Sequence, residues 1–136
     1  MKIRRGHLRW KQVYNLEILG LGNDIIEIER IEKAVNRSDK FMEKIYSEKE
    51  REYLSDKKGF ASYAGKFAAK EAVAKAMGTG VRGFAMSDIE ILNDEMGKPY
   101  VLLSKELSEK YSGIKFMITI SHSRENAVAT AIAIKD

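Results

Sequence analysis

The chain has 136 residues, of which 44% are hydrophobic and 32% are charged. This composition is typical of one globular domain and not of a disordered chain. The absence of cysteine excludes a disulfide scaffold, a thiolate zinc site, an iron–sulfur cluster and a cysteine nucleophile.

The net charge of +4 is unevenly distributed. Residues 1–16 carry five basic and no acidic side chains, whereas residues 17–136 carry 19 basic and 20 acidic ones. We therefore predict a poorly ordered basic extension over 1–16 and a single domain over 17–136. The domain lacks the positive charge of a nucleic-acid-binding protein, and no run of 18 apolar residues predicts a membrane span. We expect a cytoplasmic protein.

Turn and capping residues divide the first half of the chain into one strand and several helices. A β-branched strand over 18–28 runs into a helix in which Ile28, Ile31 and Val35 recur at helical spacing. Phe41 to Tyr46 is predicted as a short helix, and Ser47 with Glu50 forms a capping box for a helix to about residue 56. The longest helix is predicted over 59–77, ending at Gly78.

The second half reads mainly as strands. A hairpin is predicted from a strand over 87–92, a turn over 93–97 and a strand over 100–103. Ser104 caps a helix, and two alternating strands over 114–120 and 127–134 follow; the short loop between them makes them antiparallel. This order predicts an α+β fold with an antiparallel sheet packed against the long Ala-rich helix.

Several common catalytic patterns are excluded. The glycines from Gly78 to Gly83 match the spacing of a dinucleotide fingerprint, but they follow a helix and precede a strand, which is the wrong order. No serine lies at a nucleophile elbow, and two histidines without cysteine make a zinc site a poor hypothesis. His122, in a tight hairpin loop, is either a surface residue or a polar contact for a ligand.

Two carboxylates remain as candidates for chemistry. Glu71 lies on the apolar part of the long helix, where it either forms a salt bridge with Lys75 at i+4 or holds a cation. Asp24 lies inside an Ile-rich strand, where a buried acid needs a partner or a metal. Magnesium is commonly bound by one or two protein carboxylates together with phosphates and water. Their positions in the sequence do not show whether Asp24 and Glu71 lie close together in the fold.

Three blocks of sequence resemble the holo-[acyl-carrier-protein] synthases, the small class of 4′-phosphopantetheinyl transferases. They are residues 22–31 (GNDIIEIERI), residues 64–80 (AGKFAAKEAVAKAMGTG) and residues 120–123 (ISHS). The resemblance covers about residues 17–136, and Lys66 stands where this family commonly has arginine. It implies the 4′-phosphopantetheinyl transferase fold. It also implies transfer of 4′-phosphopantetheine from coenzyme A to a serine of apo acyl carrier protein, in fatty acid biosynthesis, with release of adenosine 3′,5′-bisphosphate.

The resemblance also implies roles for individual residues. Asp24 and Glu71 would bind Mg²⁺, with Mn²⁺ as a possible substitute, and Lys75 would join them in catalysis. The proton acceptor is left open between Glu71 and a metal-held water. The expected coenzyme contacts are Lys66, Phe67, Lys75, Gly78, Thr79, Gly80 and His122. A homotrimer with sites between subunits is expected from the same resemblance.

Arg30, Lys33 and Arg37 fall at i, i+3 and i+7 of the first predicted helix and form one basic stripe. We predict that this stripe docks the acidic carrier protein; a solvated helix face is the alternative. Two other functions stay open from the residues alone: another magnesium-dependent phosphate-ester enzyme, and a non-enzymatic oligomeric module that binds an acidic protein.

Overall fold

Five strands and five helices make up the part of the chain that the computed structural model describes, residues 16–78 and 83–135. The helices are α1 (Ile28–Arg37), α2 (Asp39–Ile45), α3 (Glu48–Ser55), α4 (Ala61–Ala76) and α5 (Lys105–Lys110). The strands are β1 (Glu17–Glu27), β2 (Ile89–Asn93), β3 (Pro99–Leu103), β4 (Ile114–His122) and β5 (Asn126–Lys135). This order confirms the predicted α+β class. Apart from Leu16, the predicted basic extension lies outside the described residues.

Local capping explains most of the element boundaries. The capping box predicted at α3 is confirmed, because the Glu50 N–H donates to Ser47 Oγ and the Ser47 N–H donates to Glu50 Oε1. The strand predicted from residue 87 was placed too early. Residues Met86–Asp88 form a 3₁₀ turn instead, because the Ala85 N–H donates to Asp88 Oδ2 over 2.9 Å. Strand β2 begins directly after that turn, at Ile89.

The strands form two antiparallel sheets. One has three strands in the order β1-β5-β4, and the other is the β2-β3 hairpin. The antiparallel pairing predicted for β4 and β5 is confirmed. Because β5 lies in the centre of its sheet, it places β1, from the start of the chain, beside a strand from its end.

Small side chains let α4 lie directly on the three-stranded sheet, as predicted. The inner face of β5 consists of four buried alanines at 127, 129, 131 and 133, and most of α4 is buried as well. Gly20 and Gly22 extend this flat surface onto β1. A Cβ atom on Gly20 would lie 2.0 Å from the backbone oxygen of Ala76, and one on Gly22 would lie 1.9 Å from that of Ala72. Strand β1 therefore contacts the helix backbone itself.

Helices α1, α2 and α3 and the hairpin pack against other parts of α4. Tyr46 and Leu54 form a second buried cluster with Ile45 and Met86, and the Tyr46 hydroxyl donates to the backbone oxygen of Tyr63 on α4 over 2.7 Å. This packing attaches α2 and α3 to the helix that carries Glu71.

The outer face of the three-stranded sheet is apolar and exposed. Leu21, Ile132 and Met117 lie side by side across it in register. Ile18, Leu21, Ile25 and Met117 expose between 58% and 70% of their surface. An apolar surface of this kind commonly marks a protein interface. None of the helices in residues 16–78 and 83–135 has the length and apolarity needed to cross a bilayer.

Candidate active site

Asp24 lies near the end of β1, on the strand face that packs against α4. It follows Gly22 by two residues and pairs in register with Ala129 of β5. Since alternate strand residues share a face, the close approach at Gly22 also brings Asp24 against the helix. Its side chain is 17% exposed, so the carboxylate is mostly screened from solvent but still reachable.

Glu71 lies on α4 and faces the same space. Asp24 and Glu71 both line a cavity of about 430 Å³, together with Phe67, Arg30 and several apolar residues. Burial raises the pKa of the Glu71 carboxyl, and the negative charge of Asp24 raises it further, while the positive charge of Lys75 lowers it. The structure therefore brings the two predicted carboxylates together, within electrostatic reach of each other.

Lys75 forms its ion pair with Asp24. Its Nζ lies 3.2 Å from Asp24 Oδ1 and donates to the backbone oxygen of Asn23 over 2.9 Å. The i,i+4 salt bridge with Glu71, which the sequence left open, is not the pair that forms. Asp24, on the strand beside the helix, lies closer to the ammonium than Glu71, one helical turn earlier.

The carboxylate pair fits a hard divalent cation. Both groups offer oxygen ligands, and the charge of Asp24 makes the Glu71 carboxyl harder to ionise, a cost that a cation between them would remove. The described residues include no cluster of three or more His, Cys, Asp or Glu side chains suited to a metal. A magnesium ion held by Asp24 and Glu71 would therefore complete its shell with water or ligand phosphates, as Mg²⁺ commonly does.

Lys66 and His122 line a different cavity of the same chain, of about 170 Å³, with Tyr53 and Asn93. The Lys66 side chain is buried and donates to the Ile91 carbonyl and to Asn93 Oδ1. Burial lowers the pKa of Lys66 to about 8, despite the opposing charge of Glu50. Two of the predicted coenzyme contacts, Lys66 and His122, thus lie in a different cavity from a third, Phe67.

Of the other predicted coenzyme contacts, Phe67 and Gly78 lie in the described part of the chain. Phe67 forms a wall of the carboxylate cavity and stacks on Phe41 of α2, with ring centroids 6.3 Å apart. Gly78 follows Met77, the C-cap residue of α4, and adopts a left-handed conformation with φ of 81°, which confirms the predicted helix end. Thr79 and Gly80 lie outside the described residues.

The predicted basic stripe lies on α1, and Arg30, Lys33 and Arg37 are all exposed. Arg30 lines the carboxylate cavity. Lys33 lies 3.2 Å from Glu29 Oε1, in an exposed pair of the kind that contributes little to stability. The stripe thus begins at the cavity and runs away from it along the helix.

Sequence reasoning missed Tyr53 and Asn93. The Tyr53 ring lies under Lys66, with Nζ 4.5 Å from the ring centroid, and Asn93 accepts a hydrogen bond from the same ammonium. Asn93 was interpreted only as a turn residue. Tyr53 gave no local signal, because its contact with Lys66 depends on how α3 packs against α4.

Comparison with known proteins agrees with this architecture. The family model for the 4′-phosphopantetheinyl transferase superfamily matches residues 20–132. A holo-[acyl-carrier-protein] synthase from Fusobacterium nucleatum is 53% identical over 121 residues, which cover 85% of this chain and 98% of the relative.

Two solved structures extend the comparison to the fold. A holo-(acyl-carrier-protein) synthase from Bacillus anthracis in complex with CoA (3′,5′-ADP) is 42% identical, with a TM-score of 0.76 over 88% of this chain and 98% of that one. The Helicobacter pylori enzyme in complex with coenzyme A is 36% identical, with a TM-score of 0.76 over 83% of this chain and 98% of that one. The chain belongs to the 4′-phosphopantetheinyl transferase superfamily.

Proposed function

We propose that this protein transfers 4′-phosphopantetheine from coenzyme A to a serine of apo acyl carrier protein and releases adenosine 3′,5′-bisphosphate. The observation that carries the proposal is the cavity in which Asp24 and Glu71 face each other, with Arg30 at its edge. The relative from F. nucleatum, named for this activity, aligns over nearly its whole length. Two relatives of known structure hold the coenzyme or its nucleotide part. Because acyl carrier proteins serve fatty acid biosynthesis, we assign the reaction to that pathway. We also propose a cytoplasmic location, as expected from the sequence.

The chemistry needs charge neutralisation more than covalent catalysis. The serine oxygen attacks the β-phosphorus of the coenzyme pyrophosphate, a P–O bond forms there, and the bond to the bridging oxygen breaks. Positioning and charge stabilisation supply most of the rate in such transfers. Asp24 and Glu71 would hold Mg²⁺, or Mn²⁺ in its place, and the bound cation would offset negative charge on the phosphate oxygens.

The protein groups have distinct tasks in this proposal. Lys75, half of whose side chain is exposed, would neutralise negative charge on the oxygens of the departing nucleotide. The serine proton would pass to Glu71 or to a metal-held water beside it, because a carboxylate or a metal-held water within reach of the serine can act as a general base. Coenzyme contacts are proposed for Lys66, Phe67, Gly78, Thr79, Gly80 and His122.

The division of these contacts between two cavities supports a site shared by subunits. We propose that the protein is a homotrimer in which the Lys66 and His122 cavity of one subunit and the carboxylate cavity of another together bind the coenzyme. The exposed apolar face of the three-stranded sheet is available for such an assembly. Burial of exposed side chains like Leu21 and Ile25 would stabilise it by about 25 cal/mol per Å².

The basic stripe supports docking of the second substrate. The exposed charges of Arg30, Lys33 and Arg37 run from the cavity edge along α1. A carrier helix with acidic residues would be attracted and oriented by such a stripe, which would bring its serine to the carboxylates.

Mass spectrometry of apo carrier protein tests the activity directly. Incubated with this protein, coenzyme A and Mg²⁺, the carrier should gain the mass of one phosphopantetheine group, and EDTA should prevent the gain. Asp24→Asn and Glu71→Gln should abolish it, whereas Glu109→Gln, at an exposed position of α5, should not. An unmodified carrier, or release of inorganic phosphate instead, would overturn the proposal.

A further inference from the structure

Lys75 has an unusual position for a residue assigned to phosphate. Within the described part of the chain, it is the one cation in ion-pair contact with Asp24, at 3.2 Å from Oδ1. A second hydrogen bond, to the Asn23 carbonyl, holds the ammonium on the strand. The amine that is to face the coenzyme is therefore directed at a proposed metal ligand.

The two partners differ in their access to solvent. The Asp24 side chain is 17% exposed, whereas the side chain of its partner Lys75 is 51% exposed. A divalent cation held by Asp24 would lie beside this ammonium, because the ammonium is already 3.2 Å from Asp24 Oδ1. An ammonium at hydrogen-bond distance and a metal ion would compete for the same carboxylate oxygen, because like charges at that separation repel strongly.

We propose that Lys75 is a tethered cation that occupies Asp24 in the metal-free protein and gives up this place to the divalent metal. Its flexible four-carbon stem allows the ammonium to move. An ion pair with a half-exposed partner contributes little to stability, so a divalent ion can displace it. Once displaced, the ammonium is free to contact a phosphate, so metal binding and phosphate binding become linked through one side chain. The idea rests on the proposed function, because it assumes that Asp24 binds the metal.

The proposal predicts that Lys75 has opposite effects on metal affinity with and without coenzyme. Without coenzyme, the lysine opposes the metal because it must first be displaced. With coenzyme, the displaced ammonium gains a phosphate partner, so the lysine favours the metal. Linkage requires that the metal then increase coenzyme affinity by the same factor. A residue that only contacts phosphate would leave metal binding without coenzyme unchanged.

Titration with Mn²⁺, followed by electron paramagnetic resonance, separates these cases. In the absence of coenzyme, Lys75→Met should bind Mn²⁺ roughly two- to five-fold more tightly than wild type, which is the range set by the strength of a solvent-exposed pair. Lys75→Arg keeps the charge and should retain the weaker binding. Lys105→Met, an exposed lysine on α5, is the matched control and should leave Mn²⁺ affinity unchanged.

Coenzyme A supplies the second half of the test. It should increase the Mn²⁺ affinity of wild type by a clearly larger factor than that of Lys75→Met. The inference is overturned if, without coenzyme, Lys75→Met binds Mn²⁺ no more tightly than wild type, including the case in which neither protein binds Mn²⁺. It is also overturned if coenzyme A increases the Mn²⁺ affinity of both proteins by the same factor.

Failure of the proposed function looks different. In that case, Asp24→Asn would leave Mn²⁺ affinity unchanged and the carrier protein would not be modified by wild type. Normal modification of the carrier, combined with unchanged metal affinity in Lys75→Met, would overturn the tethered-cation inference alone.

Discussion

The buried ion pair between Glu50 and Lys70 gives the sharpest stability prediction. Both side chains are fully buried, and Lys70 Nζ lies 2.6 Å from Glu50 Oε1. The same ammonium donates to the carbonyls of Met86 and Ile89, so all three of its protons are used. Glu50 Oε2 accepts the Ile91 N–H over 2.9 Å. The pair thus attaches α3, α4 and the start of the hairpin to one another.

Lys70→Met should destabilise the protein by about 3–5 kcal/mol, because it leaves the Glu50 carboxylate buried without its counter-charge. The double variant Glu50→Gln with Lys70→Met removes both charges and should recover part of this loss. The cycle should then give a coupling energy of about 1–3 kcal/mol. The pKa of Lys70 is lowered, chiefly by burial, and the charge of Glu50 opposes this shift.

Urea unfolding at one fixed subunit concentration is the appropriate assay, since association would add a concentration term to stability. Lys105→Met serves as the surface control and should change the free energy of unfolding by less than about 0.5 kcal/mol. A loss below about 1 kcal/mol for Lys70→Met, or strictly additive losses in the double variant, would refute the assignment of the pair as a buried, mutually dependent unit.

Three further predictions concern other parts of the molecule. Gly22→Ala should lower the free energy of unfolding, measured in urea, by about 1–3 kcal/mol or more, because its Cβ would overlap the Ala72 carbonyl. An unchanged free energy of unfolding would contradict the close approach of β1 to α4. Arg30→Glu should strongly raise the KM for carrier protein at low salt and leave the KM for coenzyme A nearly unchanged. Lys105→Glu is the control, and an unchanged KM for carrier protein in Arg30→Glu would mean that the carrier docks elsewhere. Lys66 has a pKa of about 8, below its unfolded value of 10.5, so between these values the unfolded chain binds more protons. Wild type should therefore gain stability relative to Lys66→Met as pH rises from about 8 to 10.5, and a flat difference would show that Lys66 is solvated.

The elements were largely predictable because each has a local signal. Alternation identified β4 and β5, and the Ser47 and Glu50 capping box placed the start of α3 correctly. The error at the start of β2 has a local cause too. Asp88 was read as a strand residue, but its carboxylate bonds the Ala85 N–H and closes a turn before the strand can begin.

The site was predictable as a set of residues but not as an arrangement. Asp24 and Glu71 are 47 positions apart in the sequence, and their shared cavity depends on the register of β1 with β5 and on the contact of Gly22 with α4. Helical spacing suggested Glu71 as the partner of Lys75, whereas the observed partner lies on a neighbouring strand. Spacing along one helix carries no information about what packs beside it.

Helix α4 combines these observations, because its charged residues point in different directions. At about 100° per residue, Lys66 and Lys70 lie about 40° apart, and both donate to carbonyls of β2 or of the turn before it. Lys75 lies about 140° further round and reaches β1. An Ala-rich helix can be buried on nearly every side only if each charge finds a partner on the element that covers it. Lys66 and Lys70 meet this condition with buried hydrogen bonds, which join the hairpin and the turn before it to the helix. Lys75 meets it with a bond to an acid in the proposed metal site, and of the three lysines it is the one whose side chain is half exposed.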